Sequence, residues 1–162
     1  MKKIILSLSI LFLITGNVFS AGSSSSDDNA KKKSNYEKAV THIEAAKKHE
    51  KKGKLEKANK RYAKAQGLLI KSNNKKPNDA DTLNYLGFTT RKLGDFENGE
   101  KYYLQGLAID PNHKGINEYL GELYVVTKRH NLAIERLEVL KGCNWEEYEQ
   151  LKAVIAGEPS KY

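Results

Sequence analysis

The chain has 162 residues, of which 39% are hydrophobic and 30% charged, with a net charge of +8 and a mean hydropathy of −0.66. That length suits one domain once a leader is set aside, and a single cysteine excludes an internal disulfide framework and a thiolate-built metal centre. The charge is uneven: residues 31–76 carry 16 Lys/Arg against 4 Asp/Glu, whereas residues 79–162 carry 10 against 14.

Met1-Lys2-Lys3, the apolar run from Ile4 to Ile14, and Val18-Phe19-Ser20 before Ala21 form the basic, apolar and small-residue parts of an export signal. Residues 1–20 are read as a signal peptide cut after Ser20. The alternative, a retained anchor, is opposed by an apolar run shorter than the ~20 residues of a bilayer span. A lipoprotein is excluded because the lone Cys143 is far from Ala21. The expected location is the bacterial periplasm or the secreted space. Residues 21–34, rich in Ser, Asp, Asn and Lys, are expected to be a disordered leader.

Helical spacing begins at Asn35, with Tyr36, Val40, Ile43 and Ala46 on one face, and Gly53 stops that helix. A second helix is predicted from Leu55 to about Lys71, with Leu55, Ala58, Tyr62, Ala65, Leu69 and Ile70 inward. Asn73 to Asn78, with Pro77, then breaks the chain. Downstream the sequence repeats: Asn84-Tyr85-Leu86-Gly87 matches Glu118-Tyr119-Leu120-Gly121 at an offset of 34. Leu83, Leu86, Gly87, Gly94, Phe96, Tyr103 and Pro111 mark one unit; Leu120, Gly121, Tyr124, Ala133 and Leu137 mark the next. Gly53-Lys54-Leu55-Glu56 and Tyr62 form a divergent upstream copy of Gly94-Asp95-Phe96-Glu97 and Tyr103 at an offset of 41. Asn144-Trp145-Glu146-Glu147 reads as a helix start with a capping box, followed by the apolar stripe Trp145, Tyr148, Leu151, Val154 and Ile155; Glu146, Glu147 and Glu149 are expected to face water.

These residues resemble the tetratricopeptide repeat family, specifically from Ala80 to about Leu140 and weakly from Ala39 to Pro77. The block from Asp81 to Ile155 also looks similar to small exported bacterial repeat proteins that end in such a helix. Departures from the pattern are Thr90 in place of an aromatic, Gly99 and Gly106 in place of alanines, and Asn117 in place of a large residue. The resemblance implies an all-α solenoid of three hairpins, at about 35–72, 80–110 and 114–141, with a capping helix at 144–156 closing the domain that spans 35–162.

It further implies a concave, ligand-binding groove lined by Asn84, Tyr85, Phe88 and Arg91 in the middle repeat and by Glu118, Tyr119, Glu122 and Val125 in the next. That mixture suits an extended peptide or protein partner of unknown identity. For Tyr85 and Tyr119 a second reading stands beside it, packing between helices. The carboxylate clamp of some family members is not reproduced, because the matching positions hold Ile43 and Lys47. A second candidate surface is the lysine-rich first hairpin, with Lys47, Lys48, Lys51, Lys52, Lys54, Lys57, Lys60, Arg61 and Lys64. It reads either as a solvated face or as a surface for an anionic envelope component; export disfavours nucleic acid as its partner. The sequence carries no phosphate loop, nucleophile elbow or zinc-binding histidine pair, so the expectation is a binding protein without catalysis, metal or cofactor.

Overall fold

The computed structural model describes residues 33–142 and 145–161, the Trp145 side chain excepted. The export segment, residues 21–32 of the leader, Cys143, the Asn144 cap and the Trp145 part of the stripe lie outside the described residues. Among the described residues there are seven helices and no strand: α1 Asn35–Glu50, α2 Leu55–Lys75, α3 Ala80–Lys92, α4 Phe96–Ile109, α5 Lys114–Val126, α6 His130–Leu140 and α7 Trp145–Ile155.

Local chemistry starts and stops these helices. Ser34 opens α1 with a capping box: its hydroxyl accepts from the Glu37 N–H at 3.1 Å while Glu37 accepts from the Ser34 N–H at 2.7 Å. Asp79 and Asp95 cap α3 and α4 in the same sense, and His113 Nδ1 accepts from the Ile116 N–H at the start of α5. The turn into α4 needs a left-handed residue, which Gly94 supplies at φ +94°. The equivalent turn into α6 places Lys128 there at φ +61°, without the freedom of glycine.

The helices pack as antiparallel neighbours α1/α2, α3/α4 and α5/α6, and α7 lies on α5 and α6. Buried Ala39, Ile43, Ala46, Tyr62, Leu69, Leu86, Phe88, Tyr103, Leu120 and Leu123 form a continuous core. Close approach depends on glycines at the seams. The Tyr103 ring lies where a Cβ at Gly87 would be, Ile116 lies against Gly106, and Leu151 of α7 fills the notch at Gly121. Gly99 and Gly106 therefore mark tight seams and not loose helix. Thr90 accepts from Gln66 Nε2 at 2.8 Å, and the buried Asn117 donates to the carbonyls of Pro111 and His113, so both departures from apolar character are hydrogen-bonded.

The structure corrects four expectations. Helix α2 continues to Lys75, since the stop is not the Asn pair but Pro77, which disfavours helix at the residue before it. Leu55 and Ile70 are exposed, not inward: Leu55 is the first residue of the helix, and the inner stripe Ala58, Tyr62, Ala65 and Leu69 leaves Ile70 one step around the axis. Glu147 does not simply face water; its Oε2 is buried, because Glu147, Leu151 and Val154 share one face of α7.

Candidate functional site

The first helix of each pair turns to the inside of the stack. The Tyr36 ring on α1 meets Tyr85 on α3 at 5.9 Å, and Phe88 on α3 meets Tyr119 on α5 at 4.9 Å. The second helices instead display Ile70, Phe96, Leu104, Ile109 and Ile134 to solvent. Helices α1, α3, α5 and α7 thus share one face of the stack, the one that the resemblance implies to be concave.

At the floor of that face Arg91 Nη2 and Glu122 Oε2 form an ion pair at 2.8 Å, with side chains 7% and 1% exposed. The guanidinium lies 5.7 Å from the Phe88 ring centre and 5.8 Å from that of Tyr119, close enough for both ring faces to favour the cation. Lys47 of α1 also reaches over the Phe88 ring, at 5.1 Å, and pairs with Glu44. Burial lowers its ammonium pKa below the ordinary lysine value, against the pull of Glu44, Glu118 and Glu122. Lys92 joins α3 to α1 through Glu50, which also accepts from the Tyr62 hydroxyl at 2.7 Å. Glu118 is buried one turn before Glu122; burial, together with the charges of Glu122 and Glu147, pushes its carboxyl up to about 8.

The groove positions therefore fall into two sets. Phe88, Arg91, Glu118, Tyr119 and Glu122 come together as a buried, charged and aromatic floor. Asn84 is buried at the Gly115 backbone, while Tyr85 and Val125 are half-buried on the walls. Of the lysine-rich set, Lys47 belongs to the floor. Lys48, Lys51, Lys52, Lys54, Lys57, Lys60 and Lys64 are exposed, Lys60 paired with Glu56, and Arg61 lies against His42 Nδ1 at 3.1 Å.

Sequence reading missed two residues of this face. Glu147 could have been found, since its spacing to Leu151 and Val154 puts it on the buried stripe. Ser160 carries no such signal. It follows α7, and its hydroxyl donates to Glu122 Oε1 at 2.8 Å. With Lys161 it lines a cleft of about 230 Å³ against Lys47, Glu50 and Lys51 of α1. No group of three side chains able to hold a metal ion occurs among the described residues, and no helix there is long and apolar enough to cross a membrane.

The repeat is exact in helix placement: α3 and α5 start at Ala80 and Lys114, and α4 and α6 at Phe96 and His130, each step being 34 residues. The fold is tetratricopeptide-like. Solved structures similar to this tetratricopeptide-like chain include the second TPR of Spaghetti (RPAP3) bound to the HSP90 peptide SRMEEVD. That match has 17% identity and a TM-score of 0.44, and covers 68% of this chain and 95% of that one. The Arabidopsis OM64 TPR domain matches at 16% identity and a TM-score of 0.47, over 75% of this chain and 97% of that one. The Yersinia enterocolitica type III secretion translocator chaperone SycD matches at 18% identity and a TM-score of 0.48, over 73% and 86%. No family model and no curated protein matches the sequence.

Proposed function

We propose that this tetratricopeptide-like protein is an exported interaction module that holds an extended peptide or protein segment in its concave groove and catalyses nothing itself. The supporting observation is the groove floor, where aromatic rings flank a buried ion pair and one segment of the chain already lies hydrogen-bonded across it. Desolvated aromatic and arginine side chains are the usual energetic anchors of protein interfaces. The residue 1–20 signal makes the periplasm or the secreted space the expected compartment.

Because removing either partner of the buried Arg91–Glu122 pair is expected to destabilise the fold, a test of binding has to start from the rim. A photo-crosslinking amino acid at Lys51, beside the groove cleft, is expected to trap a protein partner in the native compartment, while the same group at Leu104 on the exposed side of α4 does not. Adducts from Leu104 alone would reject the groove. A second reading draws on the run of exposed lysines from Lys48 to Lys64, which suits an anionic envelope surface. It predicts contact from Lys57 at least as strong as from Lys51, with both lost in about 0.5 M salt.

A further inference from the structure

Helix α7 ends in a turn that sends the chain back over the concave face. Gly157 takes φ +98°, its N–H bonding to the Val154 carbonyl and that of Glu158 to the Ala153 carbonyl. This is the paired closure of a helix end, and Pro159 then prevents the helix from resuming. The redirected segment delivers Ser160 to Glu122 Oε1 and places Lys161 at the cleft with Lys47, Glu50 and Lys51. Glu122 thus spends one oxygen on Arg91 and the other on Ser160. The tail completes the hydrogen bonding of a carboxylate that is only 1% exposed.

We infer that Glu158–Lys161 is a resident, displaceable occupant of the groove, and that a partner segment must compete with it by bringing a hydroxyl donor to Glu122. This rests on the groove reading proposed above and adds its regulation. Three physical features carry it. Glu122 Oε1 accepts a hydrogen bond, so a competitor that brings no donor leaves a buried carboxylate oxygen unsatisfied, which costs more than the bond itself contributes. The neighbouring Glu147 has a buried Oε2 with no hydrogen-bond partner among the described residues, which favours donor groups over an acidic ligand on this face. Glu158 and Pro159 are exposed and Ser160 is half-buried, so release of the tail uncovers little apolar surface and leaves the hairpin core intact.

The test uses a labelled, end-blocked peptide of residues 157–162, read by fluorescence anisotropy. Against the full chain it should bind at least tenfold more weakly than against a Ser160→Asp variant, in which a second carboxylate faces Glu122, or against a chain ending at Gly157. A peptide carrying Ser160→Ala should bind the opened proteins several-fold more weakly than the parent peptide. Equal affinity for closed and opened proteins overturns the resident tail while leaving the groove as a binding site. Equal affinity of the two peptides overturns the assigned hydrogen bond. No uptake by either opened protein at ~5 mM also overturns the proposal, since a short tether supplies only millimolar effective concentration. The crosslink at Lys51 then decides separately whether the groove takes any other partner.

Discussion

At the scale of single residues, the floor of the groove is a small network of buried charges whose members depend on one another. Removing one partner of a buried ion pair strands the other in a medium that solvates it poorly. Arg91→Ala is therefore expected to destabilise the fold by ~3–5 kcal/mol in a denaturant titration, whereas an Arg91→Met and Glu122→Leu double variant should recover much of that loss. Glu118 adds a pH dependence of definite sign. Its carboxyl ordinarily titrates at 4.5 but is held at about 8 in the fold, so the folded protein binds a proton that the unfolded chain has released. The stability gained is complete below about 4.5 and is lost as pH rises to 8. In thermal melts between pH 5 and 9, Glu118→Gln is expected to remove a falling component of a few kcal/mol relative to the parent. A parent and variant with parallel pH profiles would show that Glu118 ionises freely.

At the scale of elements, α3 to α6 were legible in the sequence because repetition reinforces every local signal: Leu86-Gly87 and Leu120-Gly121 recur with the same phase. The end of α2 was not, since Asn73 and Asn74 favour a turn by themselves and only Pro77 decides the stop. That these residues of α3 and α5 share one face could also be read, through the repeat, but their burial could not, because α7 and Ser160, which follow no repeat, pack against that face. Two substitutions separate tight seams from open helix. Gly67→Ala, in a part of α2 where an added methyl meets nothing, should stabilise by ~1 kcal/mol. Gly99→Ala should destabilise despite the same helix preference, because its methyl would stand 3.2 Å from the Gly87 carbonyl oxygen and 3.3 Å from the Arg91 nitrogen, both backbone atoms. Lys128→Gly, at the left-handed turn before α6, should raise stability by ~1 kcal/mol, the cost of a side chain held in that conformation. Melting temperatures of the three variants check all of this.

At the scale of the whole molecule, charge is sorted along the stack. The first hairpin and the residues leading into it are strongly basic, while residues 79–162 carry more acids than bases. Replacing Lys51, Lys54 and Lys57 by Gln is expected to reduce cosedimentation with vesicles containing anionic lipid, and 0.5 M salt should reproduce that loss, because exposed charges are then screened within a few ångströms. Groove binding should respond weakly to the same salt. The same sorting gives the protein a large electric dipole directed along the repeat axis. Near an anionic layer it is expected to experience a torque as well as an attraction, and so to arrive end-on with α1 and α2 leading. The face shared by α1, α3, α5 and α7 would then be presented sideways, open to whatever moves along that surface.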